Sequence, residues 1–177
     1  DMTQKELRDK LGYVPQKGVL FSGTIDSNIR YGKPEITDAQ VKEAAEVAQA
    51  TEFIDTKPEK YESPVSQGGT NVSGGQKQRV SIARAIAKDP EIFIFDDSFS
   101  ALDFKTDSQL RKALKEYTKD ATTVIVAQRI STILGADQII VLDDGHMAGI
   151  GTHKELMANC EVYQQIARSQ LSEEELA

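Results

Sequence analysis

Apolar positions along this chain follow two different periods, and the change between them divides it. Leu11 to Val14 reads as a short strand closed by Pro15, with Gln16 just after it. Lys17 to Lys33 reads mostly as loop, with helix potential around Ile25 to Arg30. From Thr37 to Ala50 the period turns helical. Thr37 and Gln40 form a capping-box pattern, and Val41, Ala44, Ala45 and Ala48 make one face. Lys57 to Val72 is rich in Pro, Ser and Gly and predicts loop. Ser73 to Ala87 predicts a second main helix, with Val80, Ala83 and Ile86 on a stripe.

Past residue 88 continuous apolar runs take over. Ile92 to Phe95 predicts a strand buried on both faces, Thr122 to Ala127 a second buried strand and Gln138 to Leu142 a third. Thr106 to Lys119 predicts a helix carrying Leu110, Ala113, Leu114 and Tyr117 at helical spacing. Asp144-Gly145 predicts a hairpin into Met147 to Ile150, and Thr152 with Glu155 caps a last helix to about Arg168. Strands alternating with helices predict an α/β fold with a mostly parallel sheet, interrupted by a helical insertion over about 18–88.

Composition narrows the class without naming it. The 177 residues suffice for one domain or a compact pair of subdomains, and 28% charged against 39% hydrophobic residues predicts a folded chain. A net charge of −7 argues against a general nucleic-acid binder. Cys160 is the single cysteine, so no intrachain disulfide can form, which fits a reducing cytosol. No apolar run approaches the roughly 18 residues of a membrane span, and Asp1 to Lys5 shows no signal-peptide pattern.

Chemistry concentrates in two segments. In Asn71-Val72-Ser73-Gly74-Gly75-Gln76-Lys77-Gln78-Arg79, Ser73 can cap the following helix and Gln76 completes a capping box. Gly74 and Gly75 let a ligand approach the backbone, whose free N–H groups and helix dipole favour an anion such as phosphate. The apolar run Ile92-Phe93-Ile94-Phe95 ends in Asp96-Asp97, two hard carboxylates suited to magnesium.

In this order and spacing the two segments resemble the signature motif and Walker B strand of ABC transporter nucleotide-binding domains. The resemblance runs from the segment before Gln16 to about Arg168. It implies a P-loop NTPase-like (RecA-like) core with an inserted α-helical subdomain. The expected parts are a core segment over 1–17, the helical subdomain over 18–88, the core over 89–171 and an acidic tail over 172–177. Tyr13-Val14-Pro15-Gln16 resembles the Q-loop, whose glutamine contacts magnesium or the attacking water and links core to helical subdomain. Asp96 matches the Walker B aspartate, a magnesium residue. Ser73, Gly74, Gly75 and Gln76 match the signature that meets ATP. Ser100-Ala101-Leu102-Asp103 resembles the D-loop, with Asp103 reaching toward the other ATP site of a dimer. Leu20-Phe21-Ser22-Gly23-Thr24-Ile25 with Asn28-Ile29 resembles the exporter branch, where this segment lies near the coupling helices of a transmembrane domain. Ser66-Gln67-Gly68-Gly69 stands where the family commonly has an acidic sensing loop.

Three departures qualify the resemblance. No Gly-x-x-x-x-Gly-Lys-Ser/Thr is present, so the core is expected to be incomplete, with the P-loop part absent and apolar sheet surface exposed. Asp97 stands where the family usually has the glutamate that polarises water, and aspartate is shorter by roughly 1.5 Å. Gln128, in Val126-Ala127-Gln128-Arg129, stands at the switch histidine; glutamine can hydrogen-bond a phosphate but carries no charge. His146 and His153 lie elsewhere and read as surface residues. Asp97 and Gln128 are thus catalytic positions of a degenerate site. The resemblance implies ATP and Mg2+ as cofactors. As partners it implies a second nucleotide-binding domain, in a heterodimer, and a transmembrane domain; its location is the cytoplasmic face of the membrane. A non-catalytic regulatory or interaction subunit is the alternative outside catalysis, and a soluble ABC ATPase of DNA repair or translation the alternative within the fold.

Overall fold

The sheet that carries the acidic strand end is parallel. In the computed structural model, which describes residues 2–172, β1 (Leu11–Val14) pairs with β4 (Ile92–Asp96), and β4 pairs on its other side with β5 (Thr122–Val126). The registers align Tyr13, Ile94 and Val124 across one face and Val14, Phe95 and Ile125 across the other. Phe93 and Phe95 are buried, stacked at 6.0 Å, with Phe95 also against Phe99 at 5.3 Å. The chain divides into two compact units, one ending at Val126 and one beginning at Ala127.

In the first unit, the short helix α1 (Gln4–Asp9) leads into β1, and the Thr3–Glu6 capping box that starts it lies outside the sequence expectation. The two-residue strand β2 (Gly23–Thr24) opens α2 (Ile25–Ile29), which Thr24 and Ser27 cap reciprocally. Helix α3 (Asp38–Val47) begins at the expected Thr37–Gln40 box, but the helix expected to Ala50 stops at Val47. Gln49 takes φ 56°, and a separate α4 (Thr51–Asp55) follows. Strand β3 (Pro64–Val65) pairs antiparallel with β2 inside the region expected to be loop.

Helix α5 (Gly74–Ala87) is the central element of this unit. Val80, Ile82, Ala83, Ala85 and Ile86 are buried, as are the polar Gln78 and Ser81. Its end fastens to β1 where Lys88 Nζ donates to the Leu11 carbonyl at 2.8 Å. Gly12 of β1 lies so close to the α5–β4 turn that a Cβ there would stand 2.6 Å from Pro90 Cγ. Helix α6 (Phe104–Tyr117) buries Leu110 and Leu114.

Strand β5 differs from the buried strand expected. It is one of the sheet's two edge strands, with Val124 at 46% and Val126 at 52% exposure, and Tyr13 on the same face is 55% exposed. An apolar run reads alike whether or not a neighbour covers it, so the sequence does not report this.

The second unit builds its own small core. Here β6 (Ile139–Asp143) and β7 (His146–Gly151) form the expected hairpin. Asp144 and Gly145 both take positive φ, 45° and 78°, which suits a tight hairpin turn. A short α7 (Ile130–Ile133) precedes it. The expected last helix is two, α8 (His153–Asn159) and α9 (Glu161–Gln170), broken where Cys160 turns extended. Ile130, Ile139, Val141, Leu156, Tyr163 and Ala167 pack together. His153 is not a plain surface residue, because its Nδ1 bonds the Tyr163 hydroxyl at 2.8 Å. The acidic tail beyond Ser172 lies outside the described residues. Among those residues, no helix is long and apolar enough to cross a membrane.

Candidate functional site

Each carboxylate at the end of β4 takes a hydrogen bond from the end of β1. Residues 94 and 96 share a face, and Tyr13 pairs with Ile94, so Tyr13 and Asp96 look the same way. The Tyr13 hydroxyl donates to Asp96 Oδ2 at 3.1 Å, and this bond raises the tyrosine's pKa. Gln16 Nε2 donates to Asp97 Oδ2 at 3.1 Å, which leaves the amide oxygen, the atom a hard cation takes, for another partner.

Backbone geometry aims Asp97. It sits at φ 44°, in the left-handed region that a non-glycine residue enters at some cost. Its N–H donates to the Val126 carbonyl at 2.8 Å, and its carbonyl accepts from Ser100 Oγ at 3.0 Å. Next to it, fully buried Ser98 donates to the Val14 carbonyl at 2.8 Å. The turn after β4 is therefore held from both neighbouring strands.

At the other segment, Ser73 caps α5 in the expected box. Its Oγ accepts from Gln76 N at 3.2 Å, and Gln76 Oε1 accepts from Ser73 N at 3.2 Å. Both side chains act in the box as acceptors, which leaves the Ser73 hydroxyl hydrogen and the Gln76 Nε2 donors outside it. The backbone beside them is open: a Cβ on Gly74 would meet nothing within 4 Å. A Cβ on Gly75 would stand 3.4 Å from the Ala101 carbonyl oxygen, so the helix start and the Ser100–Asp103 turn adjoin.

Asp103 caps α6, accepting from Thr106 N at 3.0 Å and Thr106 Oγ1 at 2.6 Å. These bonds hold its carboxyl below the usual range. Arg79, which the sequence reading passes over, donates to the Gln49 carbonyl at 2.8 Å and lies 4.8 Å from the Phe53 ring centre. Burial lowers its pKa.

Gln128 belongs to the second unit, where its side chain is exposed. Gln170 of α9 grips the backbone there with both amide atoms. Its Nε2 donates to the Gln128 carbonyl at 2.9 Å, and its Oε1 accepts from Ile130 N at 2.8 Å.

Comparison with known proteins agrees with this geometry. The family model described as ABC transporter matches residues 1–100. The chain belongs to the ABC transporter family. It is 46% identical over 169 residues to an uncharacterized ABC transporter ATP-binding protein of Mycobacterium tuberculosis, covering 94% of this chain and 29% of that protein. It is 45% identical over 166 residues to a putative multidrug export ATP-binding/permease protein of Staphylococcus aureus, covering 94% and 29%. Its fold matches a bacterial Atm1-family ABC exporter solved with ATP bound, with a TM-score of 0.91 and 39% identity over 97% of this chain and 30% of that one. The chain therefore spans under a third of the length of these relatives.

Within the ABC family frame, the donor set suits magnesium nucleotide. Two carboxylates and an amide oxygen gather at one strand end, where Mg2+ usually takes one or two carboxylates plus phosphate and water oxygens. A 14-residue helix presents an open glycine backbone at its N-terminus, as phosphate binding requires.

The segment resembling the exporter branch also has a defined shape. Buried Asn28 accepts from Phe21 N at 2.8 Å and donates to the Phe21 carbonyl at 2.8 Å. Arg84 of α5 donates to the Asn28 and Val19 carbonyls at 2.8 and 2.9 Å. The same guanidinium lies 5.1 Å from the Phe21 ring centre, beneath an exposed Phe21–Tyr31 stack. Nothing in the local sequence pattern signals this pairing of Asn28 with Arg84.

Proposed function

We propose that this chain is part of the ATP-binding domain of an ABC exporter subunit. Its own site is degenerate, and its signature completes the competent site of a partner subunit. The observation that carries the reading is the 3.1 Å bond between Gln16 and Asp97. An aspartate at this position is already engaged by the neighbouring amide, and it has roughly 1.5 Å less reach toward a water than glutamate. Because a positioned base contributes on the order of 10²–10⁴ in rate and geometry governs it, this site hydrolyses slowly or not at all. Gln128 supports the same reading, since it can hydrogen-bond phosphate but cannot take up a proton as histidine does.

The signature has no such defect. Ser73 and Gln76 fix the first turn of α5, and Gly74 and Gly75 leave its N–H groups accessible to phosphate oxygens across a dimer interface. Asp96 and Gln16 hold magnesium, Tyr13 orients Asp96, and Asp103 stiffens the turn that faces the partner. Bound Mg-ATP supplies a phosphoanhydride whose charge the metal offsets. The exposed Phe21–Tyr31 stack receives the coupling helices of a transmembrane domain, which puts the chain at the cytoplasmic face of the membrane.

Steady-state ATPase of the assembled transporter tests this. Replacing Ser73 by Arg or Gly74 by Asp should lower turnover of the whole complex by about 100-fold or more, the scale of losing an anion-stabilising donor set. Asp97→Asn should change it less than about twofold, as expected of a site that contributes little to the rate. The reverse ranking contradicts the proposal.

A further inference from the structure

A single side chain of α9 fixes the backbone that carries Gln128. Gln170 ends that helix, and its amide reaches back 42 and 40 positions to the segment that opens α7. Nε2 donates to the Gln128 carbonyl at 2.9 Å and Oε1 accepts from Ile130 N at 2.8 Å. Turning the amide over would set oxygen against oxygen and N–H against N–H, so the two contacts also fix its orientation. The side chain thus acts as a peptide group would, with one donor and one acceptor matched to backbone two residues apart.

The grip answers a local deficit. Residues 127–129 lie in neither helix nor strand. The first N–H groups of any helix lack intrahelical partners, and Arg129, at the N-cap of α7, makes no side-chain capping bond. Gln170 supplies that cap from another helix. Helix α9 does not need the bond to stay in place, because Tyr163, Ala167 and Leu171 are buried and pack with Ile130 in the core of this unit. Helix propensity is about equal for Gln, Lys, Arg and Glu, so it does not account for glutamine at this exposed helix end. The matched pair of bonds does. Gln128 meanwhile keeps an exposed side chain.

We propose that Gln170 is a positioning residue for Gln128. It holds the Gln128 backbone before nucleotide arrives, so that only the side-chain rotamers of Gln128 are left to be ordered on binding. Affinity for phosphate then gains by the ordering cost avoided. The nucleotide effect rests on the phosphate-bonding role given to Gln128 above; the grip on the backbone does not.

The test uses the full-length subunit in its assembled transporter, with Gln170→Leu, Gln128→Ala and the two combined. One readout is amide hydrogen exchange over 127–131 without nucleotide. The other is dissociation of a fluorescent, non-hydrolysable ATP analogue in the presence of magnesium. Gln170→Leu should speed exchange over 127–131 and leave exchange over 161–169 as in the wild type. One phase of analogue dissociation should quicken by about twofold to tenfold, the scale of one net hydrogen bond, as it should in Gln128→Ala. Adding Gln170→Leu to Gln128→Ala should quicken it no further, because Gln170 acts through a side chain already removed. A merely structural defect would add to the effect of Gln128→Ala, so effects that multiply overturn the proposal. Wild-type exchange over 127–131 in Gln170→Leu overturns it too. Gln170→Glu keeps the test decisive if Gln170→Leu disturbs α9: it retains the acceptor for Ile130, loses the donor to Gln128 and should quicken dissociation likewise. Wild-type dissociation in Gln128→Ala would instead count against the phosphate-bonding role of Gln128, while the exchange measurement still decides the grip.

Discussion

The strand end at Asp96-Asp97 and the helix start at Ser73–Gln76 solve opposite problems. At the strand end the chemistry sits in side chains, and partners from β1 hold them: Tyr13 on Asp96 and Gln16 on Asp97. At the helix start Ser73 and Gln76 fix the first turn through the cap, and the backbone of Gly74 lies open beside them. A function built from side chains can be lost by one methylene with the fold intact, and that is the loss proposed for Asp97. A function built from backbone persists as long as the helix starts correctly. One subunit can therefore lose its own site while keeping the one it lends.

The core behind both regions is where a single change should damage them together. Phe95, 1% exposed between Phe93 and Phe99, should cost about 3–5 kcal/mol of unfolding free energy in Phe95→Ala, read by urea titration of the assembled subunit. A loss confined to one region would break the comparison. Next in size, Ser73→Ala removes the cap of α5 and should cost about 1 kcal/mol in the same titration. Asp97→Asn should stay within about 0.5 kcal/mol, because it leaves packing untouched.

Acid stability offers a smaller, signed effect. The bonds from Thr106 hold the folded pKa of Asp103 below its unfolded value near about 3.9. Its stabilisation is therefore fully present above that unfolded pKa and is lost as pH falls through the lowered folded one. Urea midpoints between about pH 2 and 5 should show a shallower acid decline in Asp103→Asn, which still caps the helix but does not titrate. An unchanged slope would remove Asp103 from the account. The smallest effect belongs to Tyr13→Phe. It should leave stability at neutral pH unchanged and alter the half-saturating magnesium concentration of ATPase a few-fold, as loss of a partner to a metal-binding carboxylate does.

Much of this was legible in residue patterns, and the reasons for the rest are physical. The capping boxes at Thr37, Ser73 and Thr152 appear in the structure as the spacing predicts, because a cap is decided by residues three positions apart. The parallel pairing of Leu11–Val14, Ile92–Asp96 and Thr122–Val126 follows from the alternation of strands and helices. The break after Val47 and the kink at Cys160 were not legible, since both continue a helical apolar pattern across a backbone turn. The exposure of Val124 and Val126 depends on what lies beside β5, which no local pattern encodes. At the site, the segments were legible but their attachments were not. Tyr13, Ser98, Gln78 and Gln170 act through contacts of some 40 to 84 positions in sequence separation. Only the Tyr13–Asp96 contact could have been foreseen, by following strand parity from the Tyr13–Ile94 pair.

The central claim is asymmetry: this chain lends a working signature and keeps a poor site of its own. Nucleotide counting after a single turnover reads it directly. The assembled transporter is loaded with magnesium and radiolabelled ATP, washed free of unbound nucleotide, allowed one turnover and quenched in acid. The account predicts equal amounts of ADP and unhydrolysed ATP per dimer, with the ATP retained in the site that contains Asp97. Two ADP per dimer, formed at equal rates, would contradict it.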